Sequence, residues 1–500
     1  MIKLTQIENH YLNDEILNPI HIMKIGGSCL QDEKSFKQVK RITELFPSDC
    51  KIYVLSALHG ITELLIQTSK FASENKPHEV SEIIKIIETR HSNLIEALFE
   101  GKLKARNQAQ KKLQEILLNL LTVLEDVKEF GITPYFTDYI MSFGEKLSNF
   151  LLSSYLANEN YYVVSFIGED LIITNDRFND ALPNLSHTKN RIRERIIPLL
   201  SQDIRSPIIC ITGFIGRNKI GYTTTLGRGG SDFSATIIAR CLYELNPHLE
   251  IKVSLWKDVD GILTSNPNYV SSPQLIPELS YQEAKEMAFV GAKVLHPKCL
   301  EIIEKQNIPI EIKNFNFPTQ NEYTLISQNS TSNNIKGLNV VENLELISIS
   351  SPTLISVPGF LGKIFSLLGK HGININMISQ SCSQIGISFA IEKCKLEPTL
   401  RLLTTDKKLP SEWISISHQP VGIIAIIGND TFLPESIINI CSSLAQLGIS
   451  PISIAQNNKG MNLSIAIPES SLQETVNLIN DSFVSSEENL IQIKSKQGGI

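Results

Sequence analysis

The chain has 500 residues, of which 42% are hydrophobic and 20% are charged, and its formal net charge at pH 7 is -6. This length exceeds what one hydrophobic core usually supports, so we expect two to four domains and room for an enzyme. The mild acidity, without a block of Lys and Arg among aromatic residues, argues against a nucleic-acid partner.

Neither a signal-peptide core nor a run of about 20 apolar residues is present, so we expect no membrane segment and a cytoplasmic protein. The eight cysteines are scattered along the chain and lack the spacing of a zinc site. We therefore expect reduced thiols and no metal held by protein ligands alone.

In the front half, short apolar runs bounded by Gly or turn residues alternate with helical stretches. The runs are HIMKIGG, KIYVLSA, YYVVSFI, SPIICITGFIG and EIKVSLW. Such runs are typical of buried parallel strands, so the sequence predicts an α/β domain with a mainly parallel sheet between helices. Leu and Ile at helical spacing, such as Ile83 and Leu94, predict a helical hairpin inserted at about 77–130.

After a polar connection, SQNSTSNN from Ser327, the chain repeats itself. GKHGININMISQ, ending at Gln380, matches AQLGISPISIAQ, ending at Gln456, and ISFAI from Ile387 matches LSIAI from Leu463. Both pairs have the same offset of 76 residues (380 to 456 and 387 to 463), which indicates a duplicated module with the order strand, helix, strand, strand, helix.

We predict a catalytic domain over residues 1–325 and two α+β modules over residues 335–415 and 416–500. The helix of the first module is predicted from Gly362 to His371, with Gly372 as a left-handed cap. The segment LIQIKS from Leu490 predicts a closing strand, which can pair with the first module instead of the second.

Two glycine-rich turns are the candidates for chemistry. In MKIGGSC from Met23, Lys24 leaves an apolar strand directly into Gly26 and Gly27, whose backbone N–H groups can approach phosphate oxygens. Alone this signal is weak, because a lysine and two glycines after a strand are more often only a tight turn. The second turn lies in GYTTTLGRGGSDFSATIIAR from Gly221, where Asp232 stands near the start of a helix.

The second turn concentrates anion-binding groups beside one carboxylate, from Arg228 to Asp232. This combination suits a phosphate with bound Mg²⁺, although a flexible loop with Asp232 as a helix cap remains an alternative. Neither turn fits a P-loop, a dinucleotide fingerprint or a protein-kinase catalytic loop. A different phosphoryl-transfer scaffold is therefore required.

Seven segments together resemble the aspartate kinases, in that family's order. They are KIGGSC at Lys24, VLSALHGIT at Val54, SFGEKLS at Ser142, GFIG at Gly213, TTTLGRGGSDFSA at Thr223, WKDVDGI at Trp256 and LSYQEAKEMAFVGAKVLHP at Leu279. The resemblance spans nearly the whole chain, and the duplicated module resembles that family's paired ACT domains. It implies an amino-acid-kinase sheet followed by two ferredoxin-like ACT modules, with ATP and Mg²⁺ as cofactors.

The resemblance also implies site residues. Lys24 and Asp232 are the implied catalytic residues, Glu145 holds the substrate ammonium group, and Arg228 holds its α-carboxylate. Further implied substrate-binding residues are Ser56, Thr62, Gly229, Gly230 and Ser231. The implied nucleotide-binding residues are Lys24, Gly26, Gly27, Ser28, Lys257, Asp258, Lys293 and Val294.

Elementary chemistry agrees with this division of roles. A carboxylate with a pKa near ~3.9 is already ionised at neutral pH, so the nucleophile needs no general base. Catalysis is then positioning and charge neutralisation, without an obligatory histidine. Each of three residues also has an interpretation without a direct role in catalysis or binding. Glu145 could be a solvated residue in the first turn of a helix, and Lys293 could lie on a solvated helix face. For His296, a structural role is favoured over a role as a base.

The chain departs from the family pattern at several places. Ser28-Cys29 replaces the usual Thr-Ser, Lys257 replaces a Thr, and Leu263 stands where an aromatic residue is often found. Asn266-Pro267-Asn268 replaces Asp-Pro-Arg, which removes an implied phosphate contact. We expect an altered affinity for ATP and retained activity.

For regulation, the resemblance implies an amino-acid effector bound at the ACT modules, near Asn376, Gln380 and Gln456 and the loop VPGFLGKIF from Val357. Threonine is slightly preferred over lysine as the effector, and modules that only dimerise are the alternative.

We expect a homodimer or homotetramer. The predicted function is a feedback-regulated aspartate kinase that uses L-aspartate, with a non-catalytic amino-acid sensor as the alternative. We expect no fused homoserine dehydrogenase, because the residues that follow the second repeat are too few for a dinucleotide domain.

Overall fold

A computed structural model describes residues 18–200, 207–289, 294–328, 335–350, 358–380, 386–405, 415–428, 434–456 and 461–481. The chain forms two units. The first comprises Met1–Ile262, Pro277–Tyr281 and Val294–Asn329, and the second comprises Leu263–Ile276, Gln282–Lys293 and Ser330–Ile500. The predicted strand from Leu490, Lys293 and Val357 lie outside the described residues.

The described strands of the first unit are β1 (Ile20–Ile25), β2 (Cys50–Leu55), β3 (Val163–Phe166), β4 (Ile173–Thr174), β5 (Ile208–Thr212), β6 (Ile215–Asn218), β7 (Thr223–Thr225), β8 (Ile251–Lys257), β9 (Glu278–Ser280), β10 (Ile310–Asn314) and β11 (Thr324–Ser327). Eight of them form one sheet with the order β3-β5-β2-β1-β8-β10-β11-β9, in which only β10 and β11 are antiparallel neighbours. The other three form a small sheet, β4-β6-β7. The predicted mainly parallel sheet is confirmed.

The five predicted apolar runs supply β1, β2, β3, β5 and β8. All six residues of β1 are buried, including His21 and Lys24. A strand between two others in a parallel sheet is covered on both faces, so its sequence is continuously apolar instead of alternating. The two charged or titratable residues of β1, His21 and Lys24, therefore need polar partners inside the protein.

The helices that precede the second sheet are α1 (Glu33–Leu45), α2 (Ile61–Ser73), α3 (Pro77–Leu98), α4 (Leu103–Phe130), α5 (Pro134–Asn158), α6 (Gly168–Leu171), α7 (Leu185–Arg195), α8 (Ile197–Leu200), α9 (Gly230–Leu245), α10 (Tyr281–Phe289) and α11 (Pro297–Glu301). The predicted hairpin is α3 and α4. Its apolar faces, which include Ile87 and Leu117, join one core with β1 and α5. No described helix is long and apolar enough to cross a membrane.

The described strands of the second unit are β12 (Ile335–Ser350), β13 (Met377–Gln380), β14 (Gly386–Glu392), β15 (Ser415–Gly428), β16 (Ser453–Gln456) and β17 (Asn462–Pro468). They form one antiparallel sheet with the order β13-β14-β12-β15-β17-β16. Its helices are α12 (Phe360–Lys370), α13 (Leu396–Thr405), α14 (Pro434–Gln446) and a last one over residues 472–481.

The internal repeat is confirmed in three dimensions. Strands β13 and β16, and likewise β14 and β17, begin at equivalent positions with the offset of the sequence repeat (377 to 453 and 386 to 462). The predicted helix of the first module is α12, which begins two residues earlier than expected, and Gly372 after it has φ +64°. Gly448, its equivalent, has φ +66°.

Candidate active site

A pocket of about 570 Å³ lies in the first unit, where β1 and β2 end. Most of the predicted substrate and phosphate residues line it: Lys24, Gly27, Ser28, Ser56, Thr62, Glu145, Arg228, Gly229, Gly230, Ser231 and Asp232. Two glycine-rich turns that are far apart in sequence therefore meet at one site.

Two helices begin at this pocket without a side-chain cap. The N-cap residue of α2 is Gly60 and that of α9 is Gly229, with φ values of +76° and +71°. Unpaired backbone N–H groups and the helix dipole at such ends favour anions. Gly229 has little freedom to change, because an added Cβ would lie 2.8 Å from the Cβ of His296. Two helix amino ends therefore favour the binding of an anion in this pocket.

At the base of the pocket, one carboxylate holds two lysines. The Nζ atoms of Lys24 and Lys257 lie 2.8 Å from Oδ1 and Oδ2 of Asp232, respectively. Burial by itself raises the pKa of the Asp232 carboxyl, but the two ammonium groups outweigh it and lower that pKa to about 2. Asp232 is therefore ionised at neutral pH, and the three side chains together carry one surplus positive charge.

Glu145, in the middle of α5, is a second buried acidic residue of the pocket. Its side chain is 4% exposed, and its Oε2 atom accepts no hydrogen bond from the described residues. Burial raises the pKa of Glu145 to about 8, against the effect of backbone hydrogen bonds and of Lys24. The oxygen without a partner can accept a hydrogen bond from a ligand ammonium group, and such a cation favours the ionised form of Glu145. The alternative of a solvated first-turn residue is wrong for this position.

Several predicted residues lie beside the pocket instead of in its wall. The buried Gly26 donates its N–H to Trp256 O at 3.1 Å, and Lys257 points to Asp232. Asp258 is exposed and lines a neighbouring groove together with Ser28. Val294 is half-buried.

The predicted effector residues Asn376, Gln380 and Gln456 are exposed in the second unit. Gln380 and Gln456 end the two edge strands at equivalent places. His296 caps α11, because its Nδ1 accepts the Lys298 N–H at 3.3 Å. This agrees with the structural interpretation of that histidine.

Sequence analysis missed ten further wall residues, which are Ala57, Leu58, His59, Gly60, Glu63, Met141, Asn179, Phe214, Thr225 and Gly227. Two of them left a signal. Met141 lies one helical turn before Glu145 on the same face, and Phe214 is part of the GFIG motif. Phe214 has φ +66°, which is unusual for a bulky residue and is typical of backbone held under strain at functional sites.

The comparisons with known proteins agree with this fold. The amino acid kinase family model matches residues 19–314, and an ACT domain model matches residues 347–406. Lysine-sensitive aspartokinase 3 of Escherichia coli is 28% identical over 420 residues, which cover 83% of this chain and 88% of that enzyme.

A bifunctional aspartokinase/homoserine dehydrogenase of Buchnera aphidicola is 28% identical over 496 residues, which cover 96% of this chain but only 58% of that protein. A crystal structure of E. coli aspartokinase III in complex with aspartate and ADP superposes with a TM-score of 0.75 at 26% identity, covering 92% of this chain and 99% of that one. Because the kinase model spans more than half of the sequence, this chain belongs to the amino acid kinase family, and an ACT domain follows the kinase domain in sequence.

Proposed function

We propose that the protein is an aspartate kinase, which transfers the γ-phosphoryl group of ATP to the side-chain carboxylate of L-aspartate. The observation that carries the proposal is the polarity of the pocket. One side offers Glu145, whose Oε2 atom has no partner within the described residues, and the other offers Lys24 and Lys257 around Asp232 with two uncapped helix ends. The aspartokinase relatives, one of them with bound aspartate and ADP, support it.

Each part of an amino-acid substrate has a partner in this arrangement. Glu145 takes the ammonium group, and the exposed Arg228, for which no ion pair within the described residues competes, takes the α-carboxylate. The hydroxyl groups of Thr62 and Ser231 add hydrogen bonds, as do Ser56 and the backbone of Gly229 and Gly230. The side-chain carboxylate of the substrate is then directed toward Lys24.

The chemistry follows from charge. The ionised substrate carboxylate attacks the γ-phosphorus, an oxygen–phosphorus bond forms, the bond to the β-phosphate oxygen breaks, and ADP leaves. No proton is transferred, so no general base is needed. Lys24, held at 2.8 Å by Asp232, neutralises charge on the transferred group, and Lys257 adds the second positive charge.

On the nucleotide side, the proposed residues are Lys24, Gly26, Gly27, Ser28, Lys257, Asp258, Lys293 and Val294. Mg²⁺ accompanies ATP in this proposal. The described residues contain no group of three or more metal-ligating side chains. Both oxygens of Asp232 face lysines, so the pocket suits an ion held mainly by the phosphates, as is usual for Mg²⁺. When bound, it would neutralise phosphate charge.

For the regulatory part, we propose two ACT modules over residues 335–415 and 416–500 behind a catalytic domain over residues 1–325, with an amino-acid effector and a homodimer or homotetramer. The candidate effector residues are Asn376, Gln380 and Gln456. The sequence favours threonine slightly, and the name of the E. coli relative directs attention to lysine. Turnover measured with each amino acid added singly separates the two.

The test of the main proposal is direct. Purified protein with Mg-ATP, L-aspartate and hydroxylamine should yield aspartyl hydroxamate, and Lys24→Ala protein prepared in the same way should not. Hydroxamate formed from glutamate but not from aspartate would move the chain to another branch of the amino acid kinase family.

A non-catalytic sensor is the second candidate, and two observations favour it. Lys257 is engaged with Asp232, and Asn268 offers no positive charge where the family has an arginine. A sensor binds an effector amino acid and no nucleotide. Calorimetric titration with Mg-ATP therefore separates the two candidates, because only a kinase should bind it.

A further inference from the structure

Asp138 is a buried carboxylate that neither the resemblance nor the proposed chemistry uses. It lies in the first turns of α5, about two turns before Glu145, with 0% of its surface exposed. Its Oδ1 and Oδ2 atoms lie 3.1 and 2.9 Å from the backbone nitrogen of Asn179. Oδ2 also accepts the N–H of Thr225 at 2.8 Å, and Oδ1 accepts its hydroxyl at 2.8 Å.

These contacts join three separate segments of the pocket wall. Helix α5 contributes Met141 and Glu145, and the loop over residues 175–183 contributes Asn179. Strand β7 contributes Thr225, after which the chain runs directly into the glycine-rich turn that carries Arg228. A single side chain therefore links the wall residue proposed for the ammonium group to the segment proposed for the α-carboxylate.

The residue type matters at this position. A carboxylate only accepts hydrogen bonds, and here it faces three donors, two of which are backbone N–H groups that no substitution can remove. Burial raises the pKa of Asp138, while the hydrogen bonds from Asn179 and Thr225 act against that rise. The groups that favour its ionised form are the backbone N–H groups of Asn179 and Thr225 and the Thr225 hydroxyl.

The segments that it joins are closely fitted. Asn179 has φ +65° and Gly227 has φ +77°. An added Cβ on Gly227 would lie 2.7 Å from Oδ1 of Asp180, in the same loop. Small displacements of the loop would therefore be passed on to the glycine-rich turn.

We propose that Asp138 is a positioning residue for the amino-acid substrate. It fixes the loop over residues 175–183 and strand β7 against α5, and so sets the separation between Glu145 and Arg228. This inference rests on the proposed function for the identity of the substrate. The nucleotide side of the site does not depend on it.

The kinetic test uses variants that remove acceptors or donors one at a time. Asp138→Asn keeps the size but turns one oxygen into a donor group that faces other donors. We expect the KM for aspartate to rise about 10- to 100-fold, with the KM for ATP within about twofold of the wild type. Thr225→Val should raise the KM for aspartate by a smaller factor. Thr225→Ser keeps the hydroxyl and should have a KM for aspartate close to that of the wild type. Asp176→Asn, an exposed residue of the same loop, is the matched control.

A second measurement does not depend on the substrate. Amide hydrogen exchange of segments 175–183 and 223–232 should become faster in Asp138→Asn and Thr225→Val protein, with segment 83–98 of the hairpin unchanged. Unchanged exchange in both segments would show that Asp138 does not fix them against α5, and it would overturn the proposal whichever amino acid the enzyme phosphorylates. Faster exchange with equal rises in both KM values would make Asp138 a general fold residue and overturn the positioning role. Absence of wild-type aspartate turnover would instead refute the proposed function, and the KM comparison would be repeated with the amino acid that is phosphorylated.

Discussion

Strands β1 and β8 lie side by side and carry buried polar side chains at both ends, but the two ends differ. At the amino end, His21 Nε2 lies 2.7 Å from Ser254 Oγ, and that hydroxyl donates to Glu311 on β10 at 3.0 Å. Glu311 is also within 2.7 Å of the Lys252 ammonium group. These groups pair with one another across three strands, and among them only His21 Nδ1, which lies 3.3 Å from Asp49 Oδ2, accepts or donates no hydrogen bond within the described residues. None of them lines the pocket, so we call this end closed.

At the carboxyl end, three residues further along each strand, the groups do not all satisfy one another. Lys24 and Lys257 share one carboxylate, and Glu145 keeps an oxygen without a partner. The same two strands thus hold a closed network and an open one. The comparison teaches that burial of charge alone does not mark a site; unmatched charge that faces a pocket does.

Lys24→Ala should produce the largest effect, because it removes the charge that faces the transferred group. We expect kcat to fall by at least about 10³-fold, with the melting temperature nearly unchanged because Lys257 still pairs with Asp232. Hydroxamate assays and thermal melts measure both. Lys252→Ala at the closed end is the matched control and should leave kcat unaffected. Near-normal turnover of the Lys24 variant would remove this lysine from the mechanism.

Glu145→Gln should raise the KM for aspartate about 100-fold and leave the KM for ATP unchanged, because a neutral amide cannot pair with the ammonium group. Burial raises the pKa of Glu145 to about 8, so the empty wild-type site gains its negative charge as the pH rises through that value. The KM for wild type should therefore fall over that range, and the variant should lack the fall. An identical pH profile in both proteins would contradict the assignment.

The raised pKa of Glu145 also makes the stability of the fold depend on pH. Between about pH 4.5 and about pH 8, the folded protein still binds a proton at Glu145 that the unfolded chain has already lost. The free energy of unfolding should therefore decrease as the pH rises through this range. Denaturant titrations should show a smaller decrease for Glu145→Gln. A steeper decrease in the variant would be the opposite of the expected result.

Glu311→Gln tests the closed end. Two lysines and a serine lose a charged partner, so we expect the free energy of unfolding to drop by about 2 kcal/mol at pH 7, with kcat and both KM values within about twofold of the wild type. Burial would raise the pKa of Glu311, but Lys252 and Lys313 lower it. The difference in stability should accordingly shrink as the pH falls below the usual range of a glutamate. A loss of activity without a loss of stability would show that the two ends are coupled.

Lys257→Thr should have the smallest effect, because Lys24 remains. Removal of the surplus positive charge should raise the KM for ATP about 10-fold and leave the KM for aspartate nearly unchanged. Initial rates at varied ATP concentrations measure this. A lower KM for ATP would mean that Lys257 serves only to neutralise Asp232.

Local patterns in the sequence predicted much of the fold. The five apolar runs became strands, the leucine and isoleucine spacing became the α3–α4 hairpin, and the repeated segments became equivalent halves of the second sheet. Burial on both faces of a strand, one apolar face on a helix and a duplication are all visible along the chain itself. The two glycine-rich turns were visible in the same way, as was the family resemblance that assigned Lys24 and Asp232.

Only the tertiary structure decided which side chains meet. The pairing of Lys257 with Asp232, the three donors around Asp138 and the network from His21 to Glu311 all join residues that are distant in sequence. Their partners depend on the order of strands in the sheet, with β1 between β2 and β8, and no local spacing encodes that order. The sequence by itself therefore determined the elements, the repeat and the family, whereas long-range packing decided which buried charges are matched and which remain open for a ligand.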